Sequence, residues 1–304
     1  MRTKTIGHLI LNQPGHPQNH LLDLLTQELR KRRLVLFIGA GVSKDAGLPL
    51  WNELVTPLRE SLALPPSTDA IEVAQRYVNA HGRLALVKYL EVTLGRCEVP
   101  GPMHDALAQL PVSVVVTTNY DQLLERAFER RGDQPVVIAR DSDLTHLIKD
   151  PSIHDHRRPV VVKLHGCLSE PDTIVMTRDD YLAYPSQHQA MIACLQRLLL
   201  TQTFLFVGFS LTDCNFWAIH RRIRADLRQS ASRAFLLDAV RRPVWIIEKW
   251  RSQGVETLFF KDFDAKLTFI RRLAQQTVTQ ANTSGSAHLP LVWGHEPLAT
   301  TTPR

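Results

Sequence analysis

Four stretches of this 304-residue chain place glycines or polar residues directly after an apolar run of strand length. Leu34 to Ile38 leads into Gly39-Ala40-Gly41 and Ser43. Val112 to Val116 leads into Thr117-Thr118-Asn119-Tyr120-Asp121, and Val160 to Val162 into Lys163-Leu164-His165-Gly166. Thr203 to Val207 leads into Gly208-Phe209-Ser210-Leu211. Each residue type brings its own chemistry. Glycines after a strand let backbone approach an anion closely, and the free amides of a following helix start point at phosphate. An imidazole can take or give a proton near neutral pH. Amides and carboxylates at the carboxyl end of a strand lie where open α/β sheets place their ligand chemistry. A further tip, Asp238 after Ala234 to Leu237, offers a carboxylate suited to sugar hydroxyls.

Taken singly, each stretch also has a purely structural explanation. The G-x-G-x-x-G pattern fails because Lys44 stands three residues after Gly41, and no GK[ST] follows, so the glycines could form only a tight strand-to-helix turn. Asn119 or Asp121 could be a helix N-cap. His165 could be a hydrogen-bonded core histidine, and Asp238 a turn residue. The His154-x-His156 pair has no cysteine or carboxylate cluster at ligand spacing and reads as exposed loop, not metal site. His104, in a helical P-x-H-x-A-L pattern, reads as structural.

These tips need elements to carry them. Leu21, Leu22, Leu25 and Leu29 follow helical spacing and end in the basic cluster Arg30 to Arg33, which suits a helix C-terminus. Trp51, Leu54, Val55, Leu58 and Leu62 predict a second helix, stopped by Pro65-Pro66. Residues 67–110 read as a helical insert or cap, and about 140–200 as a loop and helical insert closing with a helix over 186–200. Asp213 is placed to cap a helix holding Phe216, Trp217, Ile223 and Leu227. Trp245 to Trp250, Val255 to Phe260 and Phe263 to Leu273 predict helix, strand and helix. Strands alternating with helices imply an α/β fold with a doubly wound, Rossmann-like, mostly parallel sheet and a helical cap. The expected organisation is an arm over 1–17, one domain over 18–275 and a flexible tail over 276–304.

The totals narrow the class. The chain is 44% apolar and 22% charged, ordinary for a globular protein, and no apolar run approaches a membrane span. With no signal-peptide pattern, the expected location is cytoplasmic, with no membrane partner. Cys97, Cys167, Cys194 and Cys214 form no C-x-x-C pair, so no zinc module and no disulfide framework is expected. The net charge of +6 comes from scattered arginine groups, among them Arg221 to Arg224, Arg241-Arg242 and Arg271-Arg272. Basic helix ends explain these more simply than a nucleic-acid stripe, so nucleic acid is expected only through a partner.

Together and in order, GAGVS with AGLP, TTNYD, KLHG and VGFSL resemble the motifs of the sirtuin (SIR2) superfamily. Three departures separate the chain from the protein-deacylating sirtuins: the cysteine pairs are missing, IVMTRDDY (174–181) stands in place of V-x-F-G-E, and Leu50-Trp51-Asn52 in place of D-F-R. Thr118 also replaces the usual glutamine of T-Q-N-x-D. The resemblance is therefore to the SIR2-like NADases of bacterial antiphage defence. It implies NAD as substrate, without a metal. Asn119 would orient the ribose and a water, His165 would be the general base, and Asp121 would contact the nicotinamide carboxamide. Gly39, Ala40, Gly41 and Ser43 would hold phosphates, and Gly208, Ser210 and Asp238 the adenosine half. The expected reaction is hydrolysis of NAD+ to ADP-ribose and nicotinamide. The alternatives are an NAD-dependent deacylase or ADP-ribosyltransferase, and a catalytically silent NAD-binding assembly subunit. Control is expected from homo-oligomerisation and from a separate regulatory protein encoded nearby.

Overall fold

The computed structural model describes residues 16–144, 158–211, 216–220 and 233–281. Seven parallel strands form one sheet: β1 (Leu34–Ile38), β2 (Val114–Thr117), β3 (Val136–Ile138), β4 (Val160–Lys163), β5 (Thr203–Val207), β6 (Ala234–Asp238) and β7 (Val255–Phe259). Their order is β3-β4-β2-β1-β5-β6-β7, so the chain leaves β1 toward one edge and returns to its other side at β5. That reversal is a topological switch point, and it opens a crevice at the carboxyl ends of β1 and β5. The expected doubly wound parallel sheet is thus observed.

The inner strands are apolar on both faces because both are covered. Leu34, Leu36 and Ile38 face a core built with α1 (His16–Arg30), α5 (Pro102–Ala108), α6 (Leu123–Arg130) and α10 (Phe263–Ala281). Val35 and Phe37 face the opposite core, with α8 (Gln189–Thr201) and the helical residues 216–220. There Phe37, Phe206, Phe209 and Phe216 meet in tilted, edge-on and stacked pairs, from 4.5 Å for Phe37 and Phe209 to 5.9 Å for Phe206 and Phe209.

Helices α2 (Trp51–Ser61), α3 (Ala70–His81) and α4 (Arg83–Leu94) make a helical layer with its own core around Leu54, Leu58, Val73, Leu86 and Leu90, whereas α5, within the insert expected over 67–110, packs in the sheet core. Tyr120, from the polar turn after β2, inserts into that core and donates its hydroxyl to Val175 O at 2.8 Å. The cap is pinned to the sheet at the residues where chemistry is expected.

Residues 174–181 begin a helix. Thr177 caps α7 (Arg178–Gln187) by accepting from Asp180 N (3.2 Å), and Asp180 Oδ2 accepts from Thr177 N at 2.8 Å, a reciprocal capping box. Asp180 also takes Met176 N and Arg83. Gln75 and Asp179 exchange two bonds, at 2.9 and 3.0 Å, that tie α7 to the cap. The helix expected over 186–200 is divided at His188, whose φ of −121° and ψ of 44° are not helical, so α7 and α8 are separate.

The closing helix, expected to Leu273, runs to Ala281, and α9 covers Val244–Ser252. Cys167 is buried and Cys97 and Cys194 half-buried, all as free thiols. Asp213, Cys214, Ile223, Leu227, Arg221 to Arg224 and the His154-x-His156 pair lie outside the described residues. No helix among the described residues is long and apolar enough to cross a membrane.

Candidate functional site

The tips of β1 and β5 touch through their glycines. Gly41 N donates to Gly208 O at 2.9 Å, and Gly39 N to Val207 O at 3.1 Å. A Cβ on Gly39 would stand 2.6 Å from Gly208 O and 2.6 Å from Phe209 Cα; one on Gly41, 2.9 Å from Gly208 Cα. Gly208, at φ +67°, would meet Val42 N at 2.5 Å. These glycines therefore let two backbones pass closely at the switch point. Val42 N and Ser43 N also bond inside the turn, to Gly39 O and Ala40 O. That leaves Ala40 N–H as the amide of the Gly39 to Ser43 stretch without a partner among the described residues. It is the donor the turn can offer to an anion.

The buried Ser43 hydroxyl is the hub of a second group. It donates to Asp121 Oδ2 at 2.9 Å and accepts from Asn119 Nδ2 at 3.1 Å. His104 Nε2 lies 3.3 Å away. Because Gly101 N donates to His104 Nδ1 (3.2 Å), the ring proton is assigned to Nε2, which donates to Ser43. One donation and two acceptances fill a hydroxyl's hydrogen-bonding capacity. Burial holds the His104 pKa below its usual value against the opposing pull of Asp121, Asp45, Asp105 and Glu125, so the ring is neutral. Ser43, expected among the phosphate-binding residues, has its hydroxyl turned into this network.

Asn119 and Asp121 flank Tyr120 on one tight turn. Thr117 Oγ1 donates to Ile38 O (3.0 Å) and accepts from Asn119 N (3.0 Å), joining the tips of β1 and β2. Asp121 Oδ1 accepts from Leu123 N at 3.1 Å, the local helix-start role open to it from sequence, while Oδ2 reaches Ser43. With Nδ2 on Ser43, Asn119 keeps its amide oxygen for a ligand.

Thr117 pairs with Lys163, so Asn119 and His165 lie two residues past paired positions on adjacent parallel strands. The two tips are side by side. His165 is 6% exposed and meets Tyr181 of α7 edge-on, with ring centroids 5.5 Å apart. Gly166, at φ +83°, turns the chain away where a Cβ would stand 2.2 Å from Thr173 O.

Across the switch point, Ser210 is exposed and Asp238 buried. Both Asp238 oxygens are already engaged, with Val240 N at 3.0 Å and Arg242 Nε at 2.9 Å. Among the described residues, no group of three or more His, Cys, Asp or Glu is placed to hold a metal ion.

Sequence reasoning set His104 aside, and the structure ties it to Asn119 through one hydroxyl. A histidine on the apolar helix face of Met103, Ala106 and Leu107 was the available signal, because a buried ring nitrogen needs a partner.

An open parallel sheet with an amide, an imidazole, a carboxylate and a glycine crossing at its carboxyl end defines a class, the ligand-handling doubly wound α/β domains. Comparison with known proteins narrows that class. Residues 113–258, which include TTNYD, KLHG and VGFSL, match the model of the SIR2-like domain. The chain is 37% identical to NAD(+) hydrolase ThsA of Acinetobacter baumannii (strain 532279) over 71% of this chain and 44% of that protein. It is 31% identical to NAD(+) hydrolase ThsA of Bacillus cereus (strain MSX-D12) over 70% of this chain and 44% of that protein. Defense-associated sirtuin 2 of Bacillus subtilis is 26% identical over 72% of this chain and 22% of that protein. The match to the SIR2-like domain covers just under half of the chain, and the chain spans less than half the length of these relatives.

Proposed function

We propose that this domain hydrolyses NAD+ at the nicotinamide–ribose bond, giving ADP-ribose and nicotinamide. The observation that carries this reading is that Asn119 and His165 each stand two residues past the paired Thr117 and Lys163 on adjacent strands, with the Asn119 amide held by Ser43. Two relatives bear the name NAD(+) hydrolase, which supports the same chemistry.

Breaking the bond builds positive charge at the ribose carbon, so the site's task is to hold the ribose, orient a nucleophile and take its proton. Asn119 Oδ1 accepts a hydrogen bond from a ribose hydroxyl or from the attacking water. The His165 imidazole takes the proton as the nucleophile closes on the carbon. Asp121 faces the nicotinamide carboxamide with the lone pairs that Leu123 and Ser43 leave open. Ala40 N–H meets the diphosphate, while Gly39, Gly41 and Gly208 admit it by keeping the crossing bare. Ser210 and Asp238 lie toward the adenosine half.

Water is the favoured acceptor over an acylated peptide because residues 177–180 build a helix cap where strand pairing to a peptide would need an edge. Association with further copies and with a regulatory protein, in a defence role like the one named for the Bacillus subtilis relative, completes the proposal.

The test incubates the protein with NAD+, alone and with the products of neighbouring genes, and separates nicotinamide and ADP-ribose by chromatography. Equal release of both is expected. NAD+ left intact in every combination would sink the reading.

A further inference from the structure

Lys163 ends β4 with a side chain that is 0% exposed. Its Nζ lies 2.7 Å from Oε1 of Glu125, on α6, which is 5% exposed. The chemistry proposed above uses neither residue. Stability is a weak reason for such a pair: stripping water from two charges costs several kcal/mol per ion, and apolar residues of similar volume often serve as well or better. Burial opposes the ammonium, yet the attraction of Glu125, with smaller help from Cys167 and Asp121, holds the lysine charged.

That charge has a second use. Nζ also donates to the main-chain carbonyl of Asp121 at 2.5 Å. The turn that carries Asn119 is thus gripped from both sides. Ser43 holds the Asn119 and Asp121 side chains from the β1 side, while Leu168 N donates to Tyr120 O (3.0 Å) and Lys163 to Asp121 O from the β4 side. A neutral side chain at 163 would leave the Asp121 carbonyl without its charged donor and the following peptide free to rotate.

We propose that Lys163, with Glu125 as its counter-ion, is a positioning residue that clamps the Asn119-Tyr120-Asp121 turn from beneath, so that Asn119 faces the ribose in register with His165. The catalytic half of this inference rests on the proposed NAD+ hydrolysis; the clamp itself does not.

The test compares the full chain with Lys163→Met/Glu125→Leu and Lys163→Met/Glu125→Gln, which remove the donor without stranding a buried charge. Melting temperatures within about 3 °C of the parent are expected, since the ion pair itself adds little. Amide exchange over residues 119–123 should quicken about tenfold or more while the β1 and β5 amides stay protected. Nicotinamide release should lose about 10- to 100-fold in kcat with KM changed less than about threefold, the signature of a misplaced group. A purely structural role would leave the folded variants with parental exchange over 119–123 and parental kcat, and that result overturns the proposal. So does failure of both variants to fold, which would make the pair a folding requirement. If the parent itself leaves NAD+ intact, the functional reading falls, and the exchange data still decide the clamp.

Discussion

The two sides of the switch-point crevice are built by different means. On the β2–β4 side, side chains hold side chains: His104 to Ser43, Ser43 to Asn119 and Asp121. At the β1–β5 crossing, backbone holds backbone, with Gly39, Gly41 and Gly208 in contact and no side chain between them. A side-chain network fixes directions, which proton transfer and water orientation need, but it depends on protonation and on every member. A backbone crossing has no titratable part and tolerates no added atom. In the proposed hydrolysis the chemistry belongs with the first and the anion with the second.

The largest expected effect breaks the first side. Asn119→Ala and His165→Ala should each lower nicotinamide release by about 10²- to 10⁴-fold, the range for losing a positioned acid–base or orienting group. Both variants should stay folded with about 1–3 kcal/mol less stability by urea unfolding, because Asn119 gives up its bond to the buried Ser43 hydroxyl and His165 is itself buried. Parental turnover in both variants would remove the site from these tips.

Next comes the crossing. Gly39→Ala drives a methyl to 2.6 Å from two backbone atoms that cannot yield as a flexible side chain would. Overpacking of that kind costs about 1–3 kcal/mol or more, read from urea unfolding. Gly47→Ala is the control. Gly47 has φ +90° with nothing within 4 Å, so only the left-handed strain of about 1–2 kcal/mol applies. If Gly39→Ala proved no worse than Gly47→Ala, close approach would not be the reason for the glycine.

The same contrast explains what the sequence made legible. Strand tips, glycine turns and helix faces announce themselves through runs and spacing, so the sheet, the cap and the positions of Asn119, Asp121 and His165 could be placed in advance. Partners distant in sequence could not. Ser43 and His104 are 61 residues apart, and nothing local in either stretch shows that they meet. Lys163 did carry a signal, a charge inside VVVKLHG, because a strand covered on both faces must pair any charge it buries. Strand β3 went unseen for a different reason. Val136–Ile138 is three residues long, follows Pro135 and is half-buried at its start, so pairing with β4 makes it a strand more than its own pattern does.

A smaller effect follows from His104. Its folded pKa lies below the 6.5 of an unperturbed ring, so the unfolded chain takes up a proton at a higher pH than the native one. Stability from the neutral ring is complete above pH 6.5 and falls as pH drops from there toward the folded value. Urea midpoints measured down from pH 7 should decline through this window, and less steeply in His104→Gln, whose amide can still donate to Ser43. The nearby carboxylates of Asp45, Asp105, Asp121 and Glu125 are common to both proteins, so the difference between the two profiles isolates the ring. Identical profiles would mean that the Gly101–His104–Ser43 arrangement does not select the neutral tautomer.

The smallest effect probes the far end of the crevice. Asp238 is buried at the tip of β6, with Arg242 Nε on one carboxylate oxygen and Val240 N on the other. Arg242 in turn lies 5.9 Å from the centre of the Trp250 ring, so the carboxylate has a structural use without any ligand. In Asp238→Asn the oxygen can keep Val240, while the new NH2 faces a guanidinium donor, and loss of this partly exposed ion pair costs about 0.2–1 kcal/mol. If the carboxylate also takes ribose hydroxyls, KM for NAD+ rises about three- to tenfold with kcat unchanged, because binding is lost equally from ground and transition states. An unchanged KM would leave the backbone crossing and Ser210 as the means of holding the adenosine half, and the division between side-chain chemistry and backbone binding would be sharper still.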